Sequence, residues 1–259
     1  MKSAVEMPDC ITYRRLQPSD VPLAVNLHQA AFPPEQVART IYGAPGIARY
    51  LANLISFPEM GADHLLWGAW AGETLAGYAH LRGIDEAWHL NNIVVSPAYQ
   101  GRGIGSQLWR YWVETWIERG YRRLSLDVDS ENQMALDWYR RQGLEVVRTT
   151  TTYERVPGER IAPDRGILAE IELVGWEGAE AWHSLYGFSH FQLRCGETTW
   201  TVGRLGNSYF RLEGQIPPEI EMALAYVDPQ RRLLVLSPVP IQAEGYQQAS
   251  VSFRMEGSV

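Results

Sequence analysis

The sequence predicts an α+β chain in two units, the first larger than the second. Three observations carry that expectation. Three strand-like segments between His64 and Val95 follow one another through short turns, as in a meander. The third runs directly into a glycine-rich turn and an amphipathic segment, after which Leu124, Leu126 and Val128 alternate with Ser125, Asp127 and Asp129. From Pro157 to Gly166, prolines, glycines and charges replace hydrophobic alternation, and a new mixture of strand and helix signals begins beyond.

In chain order, Ile11 to Leu16 alternates as an opening strand. Pro18-Ser19-Asp20 then supplies a helix start, with Ser19 or Asp20 as cap and Pro22 tolerated in the first turn. Leu23, Val25, Leu27, Ala30, Ala31 and Phe32 give that helix an apolar face, and Pro33-Pro34 ends it. Gln36 to Ile55 predicts a second helical region, interrupted around Gly43-Ala44-Pro45-Gly46; Tyr42, Tyr50 and Phe57 are expected to pack in the core, the alternative being that they line a pocket. His64 to Trp70 and Glu73 to Leu81 are strands joined at Ala71-Gly72, and Gly83 to Glu86 turns the chain into a third strand, Ala87 to Val95. Pro97 stops that strand, because proline cannot donate to a sheet ladder. Leu108, Trp109, Trp112, Val113 and Trp116 then fall at helical spacing, predicting a helix from Ile104 to Arg119 with Gly120 as its C-terminal cap. Ser130 to Gln133 reads as a capping box for a helix carrying Ala135, Leu136, Trp138 and Tyr139, with Arg140 and Arg141 in the last turn and Gly143 as stop. Leu144 to Val147 begins another strand, which Thr149 to Arg155 extends.

The segment Gln100-Gly101-Arg102-Gly103-Ile104-Gly105 feeds a helix N-terminus, where free backbone N–H groups and the positive end of the helix dipole favour a phosphate. The spacing excludes the NTPase phosphate loop, which needs a Gly-Lys-Ser/Thr that is absent here. It also excludes the dinucleotide fingerprint, because Ser106 stands where a third glycine or alanine is required. The pattern Gln100-x-x-Gly103-x-Gly105, directly after a strand ending Val95-Ser96-Pro97, resembles motif A of the GNAT family of N-acetyltransferases. A second block, Asn132-x-x-Ala135-x-x-Trp138-Tyr139-x-x-x-Gly143-Leu144, resembles motif B of the same family, departing from its usual form only at Trp138 and Leu144. The resemblance covers about residues 11–155.

It implies the GNAT fold, a mixed and mostly antiparallel sheet flanked by helices, with acetyl-CoA as cosubstrate. It further implies that Ile93, Val94 and Val95 pair with the pantetheine arm through a strand edge that splays after a bulge. Gly101 to Ser106 would supply N–H donors to the pyrophosphate, including Ile104 and Gly105, with the Ser106 hydroxyl added. Arg102 would pair with a phosphate or stay solvated. Gln100 is read as a loop brace. Tyr139 matches the family's tyrosine near the sulfur and is the candidate general acid, the alternative being that it only packs and hydrogen-bonds the cofactor arm. Asn132 would orient the cofactor or a water, or serve the helix start. Family members often carry a glutamate six residues ahead of the valine of Val-x-Pro; here that position is His89, the candidate general base, with Asp85, Glu86 and Asp127 as rivals. No metal is needed for amine acetylation, and no histidine spacing suggests one.

At 259 residues with 46% hydrophobic content the chain is an ordinary globular protein. The net charge of −7 argues against a general nucleic-acid binder and mildly favours cationic substrates. No apolar run is long enough to span a bilayer, and the first residues lack a signal-peptide core, so a cytoplasmic protein is expected. Cys10 and Cys195 show no metal-ligand spacing and are expected as two thiols.

The organisation expected is an acetyltransferase unit at 1–156, a linker at 157–166 and an α+β unit at 167–259. The last unit has strand signals at Ile167–Val174, Phe191–Cys195, Thr198–Arg204, Tyr209–Glu213 and Leu233–Val239, and helix signals at Glu177–Tyr186 and Pro217–Tyr226. It carries no second Gln-x-x-Gly-x-Gly loop. Either it is a degenerate GNAT-like half that covers the acceptor site or forms a homodimer, or it is an unrelated module selecting the substrate. The acceptor is read as a small-molecule primary amine. A protein N-terminus is the alternative, and a non-catalytic CoA-binding sensor is the rival from another class.

Overall fold

The computed structural model describes residues 10–57, 59, 64–84, 87–118, 121–155 and 171–258. The Asp85 and Glu86 turn, the Gly120 cap, the 157–166 linker and the first residues of the expected Ile167 strand lie outside them.

Among the described residues the strands form one sheet of twelve, in the order β1-β2-β3-β4-β5-β12-β6-β11-β10-β9-β8-β7. The strands of the first half are β1 (Ile11–Arg15), β2 (His64–Ala71), β3 (Thr74–Ile84), β4 (Ala87–Val95), β5 (Arg123–Asp129) and β6 (Glu145–Arg155). Those of the second half are β7 (Ile171–Val174), β8 (Phe188–Cys195), β9 (Thr198–Leu205), β10 (Tyr209–Glu213), β11 (Arg232–Ser237) and β12 (Tyr246–Ser258). Read inward from its two ends, the order matches β1 with β7, β2 with β8, β3 with β9, β4 with β10, β5 with β11 and β12 with β6. The two parallel pairs, β4 with β5 and β10 with β11, also correspond. Each is bridged by one crossover helix, α4 (Ile104–Glu118) in the first half and α7 (Pro218–Val227) in the second. The fold is thus an internal repeat whose last strands are exchanged: β12 enters between β5 and β6, while β6 pairs with β11. The sequence reading has no strand at Tyr246–Ser258, because its Gln247-Gln248 start lacks hydrophobic alternation and its partners lie about a hundred residues away in the chain.

Helices α1 (Val21–Ala31), α2 (Pro34–Ala38) and α3 (Ile47–Ser56) cover one face of β1–β4, where Val21, Val25, Ile47, Leu51, Trp70, Tyr78 and Val94 form one core. The opposite face carries α4 and α5 (Gln133–Arg141), with Trp88, Leu90, Trp112, Leu126, Leu136, Tyr139 and Met255 in a second core. In α4, Ile104, Leu108 and Trp112 at four-residue spacing are 2%, 0% and 1% exposed, so one stripe of the helix is dry. A third core joins α6 (Trp176–Tyr186) and α7 to β8–β11 through Ala179, Phe191, Phe210, Ile220 and Val235.

The two halves also meet through helices. The end of α6 packs on the start of α3: Gly46 N–H donates to the Tyr186 carbonyl at 3.1 Å, and Asn53 donates to the Tyr186 hydroxyl at 3.0 Å. A Cβ at position 46 would lie 2.5 Å from Tyr186 Cα, so only glycine allows this approach. Glu154 on β6 accepts from Arg39 at 3.2 and 3.0 Å and also pairs with Arg232 of β11. Cys10 is exposed, Cys195 half-buried, and both are free thiols.

Candidate active site

The site begins with a break in the sheet. β4 pairs in parallel with β5 only from Ala87–Arg123 to Leu90–Leu126. Against β3 its register shifts at the same point: Leu81 faces Leu90 but His80 faces Asn92, so Asn91 is an extra residue, a β-bulge. Beyond it, Ile93, Val94 and Val95 stay paired to β3 while their other edge has left β5. Strand backbone without a partner on one side presents N–H and C=O groups to a ligand.

The loop after this strand begins with a 3-10 turn at Pro97–Tyr99. The Gln100 amide donates to the Val95 carbonyl at 3.2 Å, bracing the loop against the strand end. Gly101 and Gly103 both have φ of 75°, the left-handed region that favours glycine, and a Cβ at either would meet nothing within 4 Å. The space over the loop is open. The first helical hydrogen bond links Gln107 N–H to the Gly103 carbonyl at 3.0 Å, which leaves the N–H groups of Gly103, Ile104, Gly105 and Ser106 outside the helix ladder. Ile104 is buried and anchors the turn, while Arg102 is exposed with its guanidinium 5.5 Å from the Tyr99 ring. A cradle of amides, helix dipole and mobile cation fits a diphosphate.

Motif B folds around a different cap from the one expected. Asn132, not Ser130, is the N-cap of α5: its side chain accepts from Ala135 N–H at 3.1 Å, while Gln133 reaches back to the Ser130 carbonyl at 2.8 Å. The asparagine wins because its carboxamide sits three residues before the N–H it satisfies once the turn starts at Gln133. Tyr139, one α5 residue on the buried side, packs its ring 5.0 Å from Trp138 and 6.0 Å from Trp109. Burial pushes its phenol well above its ordinary pKa.

His89 lies on β4 before the break, 4% exposed, on the face opposite Trp88 and Leu90. Its Nδ1 is 3.0 Å from Ser125 Oγ and its Nε2 3.8 Å from Asp127 Oδ2. Burial lowers its pKa to about 4 against the opposing pull of Asp127, so the imidazole is neutral at pH 7. Asp127 is held by both arms of Arg254, at 2.7 and 2.8 Å.

Sequence reasoning did not find the polar network behind the bulge. His80 Nδ1 is 3.1 Å from Tyr42 Oη and its Nε2 3.0 Å from His64 Nδ1; Asn92 donates to Tyr42 Oη at 2.8 Å, and His28 Nδ1 meets Tyr78 Oη at 3.0 Å. Asn91 approaches His80 Nε2 to 3.3 Å, so both amides of the bulge are tied to this network. The available signal was the pair Asn91-Asn92 inside an apolar strand, which is unfavourable there unless a bulge and buried partners receive it. Tyr42, expected in the core rather than lining a pocket, is 5% exposed and also a hydrogen-bonding hub. Among the described residues no group of three His, Cys, Asp or Glu is arranged to hold a metal, and no helix is long and apolar enough to cross a membrane.

Residues 28–144 match the Acetyltransferase (GNAT) family. The N-alpha-acetyltransferase RimI of Mycobacterium tuberculosis is 38% identical over 105 residues, which are 39% of this chain and 65% of that protein. The mycothiol acetyltransferase of Corynebacterium efficiens is 29% identical over 87 residues, 33% of this chain and 29% of its own length. The chain therefore spans less than two thirds of either relative. A solved tandem GNAT protein from the clavulanic acid biosynthesis pathway superposes with a TM-score of 0.67 at 13% identity, over 96% of this chain and 98% of that one. At that identity the likeness speaks of fold, and it extends the two-half architecture over nearly the whole chain.

Proposed function

We propose that this chain, whose residues 28–144 match the Acetyltransferase (GNAT) family, is an acetyl-CoA-dependent N-acetyltransferase, moving the acetyl group to a small-molecule primary amine in a ternary complex. The observation that carries the reading is the parting of β4 from β5 after Leu90, in the strand that feeds the amide-rich turn. Acetyl-CoA, when bound, supplies the thioester carbonyl that the amine attacks and the thiol that leaves. The N–H groups from Gly101 to Ser106, with Arg102 beside them, hold the diphosphate. Ile93, Val94 and Val95 offer their free edge to the amide-bearing arm, and Asn132 fixes the start of the helix that carries Tyr139.

In the transfer, a nitrogen–carbon bond forms and a carbon–sulfur bond breaks; one proton leaves the amine and one reaches the sulfur. Tyr139 is the acid: its phenol is protonated at neutral pH, so it has a proton to give to the departing thiolate. His89 is the base: it is unprotonated at pH 7, and Asp127 at 3.8 Å stabilises the imidazolium that forms.

The unit at 1–156 is the transferase. The unit at 167–259 is a degenerate GNAT-like half, lacking the glycine loop before α7 and lending β12 to the first half. The contact of α3 with α6, and the packing of Ile41 on Leu205, Tyr209 and Leu234, confine the sheet face that bears His89, which suits a small amine. A cytoplasmic site of action accords with the supply of acetyl-CoA.

The test is CoA-thiol release with acetyl-CoA over a panel of amines and N-terminal peptides, with product masses. Amine-dependent release with acetylated product is the expected result. Tight acetyl-CoA binding with no acceptor-dependent release would make the protein a CoA sensor. The second reading, a protein N-terminus as acceptor, is favoured by the 38% identity to RimI, and release with the peptides alone would select it.

A further inference from the structure

Four consecutive strands of the sheet present charge on the same face as His89. Arg82 on β3 stands opposite His89 in the β3–β4 register, His89 faces Ser125 across β4–β5, and Asp127 faces Arg254 across β5–β12. This is the face covered further along by α1–α3 and Tyr42, the side from which an acceptor reaches the parted strands. Of the carboxylates on this face, Asp127 takes both arms of Arg254 and Glu213 on β10 takes Arg211 at 3.1 Å, while Glu256 of β12, level with Ser125, is exposed. Arg82 is exposed and, among the described residues, forms no ion pair. Its surroundings are partly desolvated. Burial is the first cause lowering its pKa; Arg254 and Arg211 lower it further, against Tyr50 and Asp127. Tyr50 of α3 packs edge-on against Phe188 of β8 at 4.9 Å, which joins α3 to the second half. Arg82 therefore stands across from the candidate base with no ion-pair partner among the described residues, so its guanidinium is open to an anion.

We propose that Arg82 binds an anionic group of the acceptor, so that the amine acetylated here belongs to a molecule that also carries a carboxylate or a phosphate. The proposal rests on the transferase reading and narrows it. It also sets the local charge against the global one: the net charge favours cationic substrates, but the face where the amine must approach holds the unpaired arginine. A planar fork with free N–H donors suits either anion, and it would orient the amine toward the break at Asn91.

Two measurements test it. The first compares matched acceptors at saturating acetyl-CoA: amino acids against their methyl esters, and phosphoethanolamine against ethanolamine. The anionic member of at least one pair is expected to have kcat/KM on the order of tenfold higher, the ratio falling toward one in Arg82→Gln and partly returning in Arg82→Lys. The better pair tells carboxylate from phosphate. Equal or faster transfer to the neutral members, or an equal loss on both members in Arg82→Gln, would overturn the proposal. The second measurement needs no turnover: inorganic phosphate should raise the melting temperature of the parent protein more than that of Arg82→Gln. An identical shift in both would assign the anion to the Gly101–Ser106 turn and refute the Arg82 site. A phosphate shift lost in Arg82→Gln, with no transfer to any amine, would keep the anion site and reject the transferase.

Discussion

Acid should destabilise this protein through two buried imidazoles. His28 and His89 are 5% and 4% exposed, and burial lowers each pKa to about 4 from the ordinary 6.5. A histidine whose charge is disfavoured in the fold takes up protons in the unfolded chain first, so stability must fall as pH drops from about 7 toward 4. Between pH 7 and pH 5 the folded imidazoles stay neutral while unfolded ones become almost fully charged, which costs about 1.8 kcal/mol each and about 3.5 kcal/mol together. His80 adds in the same direction, its charge disfavoured by burial and by His64. The depressed carboxyl of Asp20, held by Arg14, loses its contribution only below the usual carboxylate range and lies outside this window. Urea denaturation of the parent chain at pH 7 and pH 5 should show the loss, and His28→Gln and His89→Gln should each remove about half of the two-imidazole part. A parent protein that changes by less than about 1 kcal/mol over that interval would refute the burial argument.

Gly103→Glu should abolish acetyl-CoA binding, measured by calorimetry, because it forces a side chain into the left-handed region and puts a negative charge in the amide cradle; unchanged affinity would remove the loop from the cofactor site. Tyr139→Phe should lower kcat by about a hundredfold or more while leaving acetyl-CoA affinity nearly intact, and an unchanged kcat would reduce Tyr139 to packing. Leu108→Ala, at a fully buried position of α4, should cost about 2–5 kcal/mol in denaturation experiments, since its side chain packs with Ala69, Ala71, Ala76 and Tyr99; a loss under about 1 kcal/mol would show the helix to be loosely docked.

The sequence by itself determined the parts whose physics is local. Proline and the β-branched pair end β4, the glycines open the turn, and the apolar stripe of α4 sets its burial, so the loop and both motif blocks were legible from spacing. The helix start at motif B was legible to within two residues, and Asn132 rather than Ser130 caps it because cap choice depends on where the turn closes. Only the tertiary structure decided the rest. The exchange of β12 and β6 pairs segments far apart in the chain, where no local pattern selects the partner. The bulge at Asn91 and the network of Tyr42, His80 and His64 need three elements brought together before any side chain has its partner. The neutrality of His89 and the placing of Arg82 across from it follow from desolvation and from strand pairing, which exist only once the sheet has formed.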